Sequence, residues 1–412
     1  MERSILHCDM NNCYASIECL LNPALRGKPM AVGGSSEDRH GIVLAKSEEA
    51  KYCGVKTGEP LWRARQKCRD LIVVPPHHEI YIKYGRMAKD LYYEYSEAVE
   101  GFGTDEAWVD CTGSASLFGS GEMIAEDIRR RMKREIGLTV SIGVSFNKIF
   151  AKLGSDMKKP DAVTVIRRAD MRTKIWPRDV SELLGVGRAT ERKLRTYGIH
   201  TIGDLAHAKE AFLERLLGVN GVKLRRYANG LDAERVAERL YERPMQSVGR
   251  GSTFRRDLSA PDEIRRGLSV LSEKTAEALR RANLKAGGIS LYIRRADLSG
   301  IQFQKGLPLP TSSGAVLERA SAALFFDRYD GRQAVRALTV RAVDLRPADA
   351  PVQLNFFSDF ERYRKEERLA AAIGEIGAHY GGGYVKKASQ LMDTHLPADM
   401  PEGMHPPGRM ME

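Results

Sequence analysis

Two segments nearly a hundred residues apart constrain the fold of this chain more than any other part of its sequence. In the first, Asp9 follows an apolar run of strand character; in the second, Asp105 and Glu106 precede another such run. If the two strands are neighbours in one sheet, the three carboxylates converge at one edge, and oxygen-rich clusters of that kind bind Mg²⁺. A pair of Mg²⁺ ions is the usual apparatus of phosphoryl or nucleotidyl transfer. An Asp–Glu pair alone is usually a solvated surface feature, so the rest of the sequence must decide.

The charge balance favours a polyanionic partner. The 412 residues include 65 Lys and Arg against 54 Asp and Glu, a net charge of +11. Residues 245–346 hold 18 Lys and Arg against 10 Asp and Glu, so this part carries most of the surplus. Nucleic acid and anionic membranes both fit such an excess, although a basic enzyme without either partner has the same composition. The length suggests roughly two to four domains.

The cysteines and the apolar runs indicate the compartment. The six cysteines lie in the first third of the chain, without a CxxC pair or clustered histidines, so we predict reduced thiols and no zinc site. No apolar run approaches the ~20 residues of a membrane helix, and no segment resembles a signal peptide. We expect a cytoplasmic protein that has no membrane segment and acts as a monomer.

The order of the predicted elements indicates an α/β core followed by helical and mixed regions. The predicted core segments are strands at 3–8 and 138–144, helices at 13–21, 79–99 and 122–136, and a Gly-Ser-rich turn at 113–121. This order predicts a sheet with helices on one face. Residues 166–240 are predicted to be helical. The following region combines strands at 288–293 and 337–344 with helices at 262–283 and 314–326.

Two related segments carry paired glycines between predicted helices. Gly185 and Gly187 in the first segment, and Gly218 and Gly221 in the second, would let the backbone approach a phosphate. The helix N-terminus that follows would aim amide groups and a positive dipole at it. Such contacts position a protein on a duplex without reading its sequence. A single hairpin could be a tight turn without a ligand, but two in tandem among basic residues favour DNA.

A lysine-bearing block spans residues 141–160. A predicted strand runs into a helix with Lys148 and Lys152, and Lys158 and Lys159 stand directly before a proline. Lysines beside a carboxylate–metal centre can neutralise a triphosphate. Any one of them taken alone is more commonly a solvated surface cation.

The blocks 9–18, 105–110 and 141–160 occur in this order, followed by the two glycine hairpins and by residues 246–250. This arrangement closely resembles the Y-family translesion DNA polymerases over about residues 1–346. The resemblance implies an α+β multidomain fold, a right-hand polymerase with an α/β palm, small fingers, an all-helical thumb with helix-hairpin-helix motifs, and an α+β little finger. The implied ranges are 1–10 and 78–165 for the palm, 11–77 for the fingers, 166–240 for the thumb, 245–346 for the DNA-binding little finger, and 347–412 for a C-terminal tail.

The resemblance also implies the site. Asp9 and Asp105 match the metal-binding aspartates of the family, Glu106 matches the adjacent catalytic glutamate, and the Met10 carbonyl would complete the shell of two Mg²⁺ ions. Asp110 lies five positions after Asp105, so strand alternation points it to the opposite face and we leave it out of the site.

Further residues match the family's nucleotide site. Tyr14 matches the steric gate, whose ring packs against C2′ and leaves no room for a 2′-hydroxyl. Asn11, Asn12 and Cys13 stand beside it in the predicted nucleotide site, where they replace a more acidic and aromatic stretch of many members. Lys159 matches a lysine used on the triphosphate. In the little finger, Arg250 is predicted to contact DNA.

The fingers depart from the family pattern. Many relatives carry a Tyr and an Arg, three residues apart, that bind the phosphates; here these positions are Glu48 and Lys51. Lys51 keeps the charge without the bidentate fork of Arg. Glu48 would repel phosphate if it pointed inward, so we expect it to turn away. We predict that Lys46 or Lys51 contacts the triphosphate.

Residues 353–357, Gln-Leu-Asn-Phe-Phe, resemble the short peptide by which bacterial polymerases bind the sliding clamp. Gln353, Leu354, Phe356 and Phe357 would be its anchors in an apolar pocket. The alternative is a strand or turn that packs on its own domain. The position after the last predicted domain and before a highly charged segment favours the clamp.

The activity implied by the resemblance is that of a DNA-directed DNA polymerase that acts on primer–template DNA and dNTPs with low fidelity, no proofreading, and bypass of damaged template bases. One alternative is a catalytically silent DNA-repair scaffold of the same fold, although all three carboxylates are present. Another is a nucleotide cyclase, which would need neither glycine hairpins nor a basic module.

Overall fold

The computed structural model describes residues 2–34, 41–238, 244–353 and 359–380, together with residues 385, 388 and 396. Within these ranges the chain forms two compact units, one of residues 2–34 and 42–238 and one of the residues from 244 onward. The predicted palm, fingers and thumb lie in the first unit, and the predicted little finger lies in the second. None of the helices in these ranges is both long enough and apolar enough to cross a membrane.

The helices and strands of the first unit are as follows. The strands are β1 (Ile5–Met10), β2 (Met30–Gly33), β3 (Val43–Lys46), β4 (Ile72–Val74), β5 (Val99–Gly101), β6 (Glu106–Asp110), β7 (Val140–Ser145) and β8 (Val163–Val165). The α-helices are α1 (Cys13–Leu21), α2 (Glu48–Tyr52), α3 (Leu61–Lys67), α4 (His78–Tyr93), α5 (Ala115–Phe118), α6 (Gly121–Arg131), α7 (Lys148–Met157), α8 (Arg188–Thr196), α9 (Ile202–His207), α10 (Glu210–Leu217) and α11 (Val219–Ala228).

The second unit is a sheet with helices. Its strands are β9 (Ser247–Leu258), β10 (Leu284–Arg295), β11 (Gly300–Thr311) and β12 (Val335–Pro347), and its helices are α12 (Pro261–Arg281), α13 (Gly314–Arg328) and α14 (Phe360–Tyr380). The strand order is β11-β10-β12-β9. The sequence predicted β10 and β12 but missed β9 and β11. These two lie at the edges of the sheet, where half-exposed strands lack a clear apolar alternation.

The sheet that carries the carboxylates has the order β5-β6-β1-β7-β8, with β1 antiparallel to both of its neighbours. Every residue of β1 and β7 is buried, as expected of strands covered on both faces. The prediction of helices on one face is therefore wrong. Helices α4 and α6 share a core with one face, and α7 packs on the other.

The close approach of α7 has a specific cause in the sequence. Gly143 lies in β7 beneath this helix, and a Cβ at that position would lie 1.9 Å from the Ala151 carbonyl oxygen. A glycine within a strand often marks such an approach of another backbone. The absence of a side chain lets α7 lie directly against the sheet, next to the ends of β1 and β6.

The predicted turn at 113–121 contains short helical elements, which the prediction did not include. A 3₁₀ turn at Thr112–Ser114 leads directly into α5. The Asp110 carboxylate starts the turn by accepting hydrogen bonds from the Thr112 amide at 3.0 Å and from the Thr112 hydroxyl at 2.5 Å. Asp110 therefore has a structural partner outside the carboxylate cluster.

Separate hydrophobic cores and polar contacts stabilise the other elements of the two units. The sheet β3-β2-β4 and helices α2 and α3 enclose a small core within the range predicted for the fingers. Helices α8 to α11 share another core in the range predicted for the thumb. In the second unit α14 is docked through Glu367, which accepts a hydrogen bond from Thr311 Oγ1 at 2.5 Å and pairs with Lys285 at 3.3 Å.

Candidate active site

Two of the three carboxylates, Asp9 and Glu106, belong to adjacent strands, and Asp105 directly precedes the second strand. Asp9 near the end of β1 stands opposite Glu106 at the start of β6 in the register of the antiparallel pair. The Met10 amide donates a hydrogen bond to the Asp105 carbonyl oxygen at 3.1 Å, which joins the same strand ends. The prediction that these strands are neighbours is confirmed. The role of the Met10 carbonyl remains a prediction.

The electrostatics of the cluster reflect crowded negative charge. Burial, followed by the charges of Asp9 and Glu106, raises the pKa of Asp105 to about 6. Both effects disfavour the charged carboxylate, and a cation placed in the cluster would reverse the second of them. The cluster therefore favours the binding of a positively charged group.

Lys152 of α7 supplies positive charge in this structure. Its Nζ lies 3.3 Å from Asp9 Oδ2, 3.2 Å from Glu106 Oε2 and 3.1 Å from Asp156 Oδ2. Although burial opposes it, the attraction of Glu106, Asp9 and Asp156 raises the pKa of Lys152. The sequence analysis considered Lys152 as a triphosphate contact, but it did not predict that Lys152 pairs with the carboxylates, and it gave Asp156 no role. Their four-residue spacing on one helix face was the available signal.

Lys159 approaches the cluster from beyond the end of α7. Its Nζ lies 2.7 Å from Asp9 Oδ2 and 2.8 Å from Asp156 Oδ1, and its side chain is 31% exposed. Lys148, in contrast, does not reach the site. Its Nζ is buried 2.8 Å from Glu100 Oε2 and 4.5 Å from the centroid of the Trp108 ring, so this lysine has a structural position and not the phosphate position considered for it.

A divalent cation fits the donor set once the lysines give way. Among the described residues, no three His, Cys, Asp or Glu side chains already converge as metal ligands. The carboxylates of Asp9 and Glu106 are instead drawn onto Lys152, whose Nζ bridges them as a cation would. Burial is the largest cause of the raised pKa of Asp105, and the charges of Asp9 and Glu106 add to it, which is a second sign that the cluster favours positive charge.

Tyr14 stands in the first turn of α1, five residues after Asp9. Its ring stacks on the ring of Tyr81 from α4, with centroids 4.2 Å apart and an interplanar angle of 15°. The Tyr81 hydroxyl donates to Glu18 Oε1 at 2.5 Å. The sugar gate proposed from sequence is thus a partly exposed ring backed by a buried one.

Two of the predicted nucleotide contacts have inward-facing side chains. The Asn11 side chain donates to Ser141 Oγ at 2.8 Å and accepts from the Asp161 amide at 2.9 Å, while the Asn11 amide donates to the Thr139 carbonyl oxygen. The Cys13 thiol is buried in the core. Asn11 therefore ties strand ends together and Cys13 fills the core, so neither side chain is available to a nucleotide.

The fingers helix α2 is connected to the start of α1. Asn12 Nδ2 donates to Glu48 Oε1 at 2.8 Å, and Lys51 Nζ lies 3.3 Å from Glu48 Oε2. The expectation that Glu48 turns away is wrong, because this carboxylate points at Asn12 and its charge is offset by Lys51. Lys46 donates from Nζ to Thr57 Oγ1 at 3.0 Å, and burial, then the charge of Lys51, lowers the pKa of Lys46.

The glycine hairpins divide into exposed and buried positions. Gly185 and Gly187 are exposed before α8, and Gly218 is exposed before α11. Gly185 and Gly218 have φ values of 93° and 65°, in the left-handed region that favours glycine. Gly221 is buried within α11, its amide donates to the Gly218 carbonyl oxygen, and a Cβ would lie 2.2 Å from the carbonyl oxygen of Leu213. Gly221 is therefore required for the packing of α11 against α10, and its predicted DNA contact stays a prediction.

The two remaining predicted sites lie in the second unit. Arg250 of β9 is half-buried, and in register it pairs with Val340, a core residue of β12. Arg341, one position further along β12, is exposed on the opposite face. Of the predicted clamp peptide, Leu354, Phe356 and Phe357 lie outside the described residues.

Comparisons with known proteins agree with this organisation. The model of the impB/mucB/samB family matches residues 8–156, that of its C-terminal domain matches residues 245–356, and that of the IMS family HHH motif matches residues 168–199. The chain is 46% identical over 396 residues to "DNA polymerase IV" of Acetivibrio thermocellus, which covers 96% of this chain and 99% of that protein. It is 37% identical over 391 residues to "DNA polymerase IV 1" of Bacillus subtilis, covering 94% and 93% of the two chains.

Solved structures share the fold. A "Y-family DNA polymerase chimera Dbh-Dpo4(243-245)-Dbh" has a TM-score of 0.74 and 25% identity, and it covers 83% of this chain and 98% of its own. DinB from Sulfolobus solfataricus has a TM-score of 0.55 and 26% identity, covering 82% of this chain and 98% of its own. The chain belongs to the impB/mucB/samB family of Y-family DNA polymerases. It is a translesion DNA polymerase that resembles bacterial DNA polymerase IV, and the resemblance seen in the sequence is confirmed.

Proposed function

We propose that this polymerase extends a primer 3′-hydroxyl from dNTPs at the cluster formed by Asp9, Asp105 and Glu106, with two Mg²⁺ ions. As a DNA-directed DNA polymerase of this family it binds template DNA and dNTPs and requires a divalent metal. The observation that carries the site is the register that sets Asp9 beside Glu106; burial and the charges of these two neighbours raise the pKa of Asp105. Oxygen-only ligands among buried strands suit Mg²⁺.

The residues divide the chemical work. Bound divalent ions would activate the primer hydroxyl and stabilise the leaving pyrophosphate. Asp9, Asp105 and Glu106 would hold those ions. Before they bind, Lys152 compensates the carboxylates. Lys159, which is part-exposed at the same edge, is placed to neutralise a triphosphate when its own partners turn to the metal.

Selection of the sugar is assigned to Tyr14. The Tyr14 ring stacks on the ring of Tyr81, which limits its movement. If the Tyr14 ring packs against C2′ of the nucleotide, it could not move aside to make room for a 2′-hydroxyl. The triphosphate is assigned to Lys159 together with Lys46 or Lys51 of the fingers. Support for a fingers contribution comes from the bond between Glu48 and Asn12, which brings α2 to the start of α1.

DNA contacts are assigned to both units. The exposed glycines before the two helices, Gly185 and Gly187 before α8 and Gly218 before α11, are suited to phosphates of a duplex. On the second unit we propose Arg341, which is exposed on the sheet face opposite the core, as the DNA contact in place of Arg250, whose register with Val340 puts it on the core-side face. We further propose that residues 353–357 bind a sliding clamp, and that the protein works as a monomer in the cytoplasm, where bacterial DNA is.

Primer extension tests the assignment. The double variant Asp105→Ala, Glu106→Ala should lower template-directed extension by at least about 10³-fold, because it removes two of three metal-holding groups. Duplex binding, measured by fluorescence anisotropy, should persist because the DNA-contacting elements are untouched. Glu122→Gln, an exposed carboxylate outside the cluster, is the matched control and should extend primers normally.

The outcomes separate the candidate functions. Template-dependent extension by the wild type that the double variant loses supports the proposal. A wild type that binds duplex without extending primers would instead indicate the silent scaffold. Undiminished extension by the double variant would contradict the assignment of Asp105 and Glu106.

A further inference from the structure

A fully buried histidine lies directly beneath the carboxylate cluster. His7 is two residues before Asp9 on β1, and its ring shares a sheet face with Trp108 and Glu106. His7 Nδ1 lies 2.9 Å from Ser155 Oγ of α7, and His7 Nε2 lies 3.3 Å from Glu106 Oε2. The Trp108 ring packs edge-to-face against the imidazole of His7, with the two ring centroids 5.1 Å apart. The blocks that carry the resemblance, 9–18, 105–110 and 141–160, do not include this residue.

Counting protons decides how the ring bonds. Ser155 has one hydroxyl proton and two acceptors in reach, the Lys152 carbonyl oxygen at 2.8 Å and His7 Nδ1. A neutral imidazole has one N–H. If that proton is on Nδ1, the Nε2 lone pair faces the Glu106 carboxylate, and two buried groups repel each other. If it is on Nε2, the ring donates to Glu106 and Ser155 donates to Nδ1.

The second arrangement satisfies more buried atoms. In the structure as it stands, His7 Nε2 and Glu106 Oε2 are both buried without a well-aligned hydrogen bond, although only 3.3 Å separates them. A buried donor or acceptor left unpaired is costly, so a small rotation that aligns the Nε2–H with Oε2 is favourable. Ser155 then serves to hold the tautomer by donating to Nδ1.

Two side chains approach the same oxygen of the Glu106 carboxylate. Glu106 Oε2 is also the atom that faces Lys152 Nζ at 3.2 Å. The closest approaches of His7 Nε2 and of Lys152 Nζ to the Glu106 carboxylate are thus both to Oε2. The contact with His7 therefore constrains the orientation of the Glu106 carboxylate from the protein side.

We propose that His7, supported by Ser155, is a positioning residue that holds the Glu106 carboxylate for metal binding; this rests on the proposed role of Glu106. The Nε2–H donates to Oε2 and limits rotation of the carboxylate about its terminal bond. Partners that orient a metal ligand in this way are typically worth about 10- to 100-fold in metal affinity or activity.

The test compares variants that keep or lose the donor. His7→Leu removes it, whereas His7→Gln keeps an N–H near the position of Nε2. His7→Leu should lower kcat by about 10- to 100-fold and weaken Mn²⁺ binding to the DNA-bound enzyme, read by electron paramagnetic resonance without nucleotide. The KM for dNTP and the affinity for primer–template should stay within about twofold of wild type. His7→Gln should recover most of both losses.

A second variant keeps the proposal testable if His7→Leu folds poorly. Ser155→Ala removes the support of Nδ1 and should give a smaller loss of the same kind. Combined with His7→Leu, it should add little, because both changes act on one chain of bonds. Thermal melting of each variant monitors folding.

The proposal is overturned if Mn²⁺ binding and kcat of folded His7→Leu stay within about twofold of wild type, or if His7→Gln is impaired as much as His7→Leu. These results leave the proposed function intact as long as wild type extends primers and the Asp105, Glu106 double variant does not. Failure of that control pair would sink the proposed function itself.

Discussion

Replacing Lys152 by methionine should destabilise the metal-free enzyme and make its stability depend on divalent metal. The Nζ of Lys152 is the shared counter-ion of Asp9, Glu106 and Asp156, at 3.1 to 3.3 Å, and its side chain is only 13% exposed. Methionine is similar in length and adapts to irregular space, so the lost packing is small. The variant therefore isolates the missing charge.

The expected size follows from the geometry. At an effective dielectric constant of about 20, one pair of unit charges ~3.2 Å apart attracts by roughly 5 kcal/mol, most of which offsets the cost of burying them. Removing one partner of a buried pair costs about 3–5 kcal/mol, since its partners keep their burial and lose their counter-ion. Lys159 still pairs with Asp9 and Asp156, so we expect the lower end, about 3 kcal/mol. For a unit of this size the melting temperature should fall by about 6–12 °C.

The loss of stability caused by Lys152→Met should depend on pH in a defined direction. Burial opposes the charged forms of Glu106 and Asp156, but neighbouring groups outweigh it. His7 and Lys152 lower the pKa of Glu106, and Lys152 and Lys159 lower the pKa of Asp156. A lowered folded-state pKa contributes stability above the unfolded-state pKa, about 4 for these groups, and loses it as pH falls through the folded-state value. The difference between wild type and Lys152→Met should thus be full at neutral pH and shrink in acid.

Thermal unfolding in EDTA and in Mg²⁺ provides the assay. Mg²⁺ should restore most of the stability of Lys152→Met, because the metal supplies the missing charge, and should stabilise the wild type less. Lys174→Met is the matched control: its Nζ pairs with Asp170 at 2.9 Å on the surface, so its loss should stay below about 1 kcal/mol. Equal melting of the two variants in EDTA, or equal stabilisation of wild type and Lys152→Met by Mg²⁺, would refute the reasoning.

Three further predictions concern selectivity and partners. Tyr14→Ala should increase ribonucleotide incorporation by about 10²-fold or more, because it removes the clash with the 2′-hydroxyl, while deoxyribonucleotide incorporation should change much less. Primer extension with competing rNTP and dNTP measures this selectivity. Unchanged discrimination between the two sugars would contradict the role of Tyr14 as the gate. Lys46→Ala or Lys51→Ala should raise the apparent KM for dNTP by about tenfold, through loss of a phosphate contact, in steady-state kinetics; unchanged values in both would exclude them. Replacing residues 353–357 by alanines should abolish stimulation by the sliding clamp and spare clamp-free synthesis, as compared on one primed template; stimulation that persists would show that the clamp binds elsewhere.

Much of the site could be predicted because it lies in local sequence. Asp9 and Asp105 each adjoin a strand-like run, so two neighbouring strands were enough to bring them together. The place of Tyr14 in α1 agrees with the helix predicted at 13–21, whereas its role as the sugar gate came from the family resemblance. Such residues are placed by backbone elements whose periodicity can be read directly.

Other roles depended on what lies across the fold. Lys148 and Lys152 looked alike in sequence, but α7 crosses the sheet so that one is buried beside Glu100 and the other lies among the carboxylates. Asn11 and Gly221 matched expected ligand positions, yet their hydrogen bonds are made within the protein. Glu48 turned toward Asn12 because a side-chain amide and a lysine were there to receive it.

The sequence by itself determined the family, the order of its parts and the three carboxylates, because these depend on residue types at short spacing along single elements. Only the tertiary structure decided which lysine balances those carboxylates, and that His7 and Ser155 stand behind Glu106. The physical reason is that charge compensation and hydrogen bonding act between side chains a few ångströms apart in space, here nearly 150 positions apart between β1 and α7. Such pairs form only because α7 packs against the sheet, and Gly143 permits this close packing by lacking a side chain.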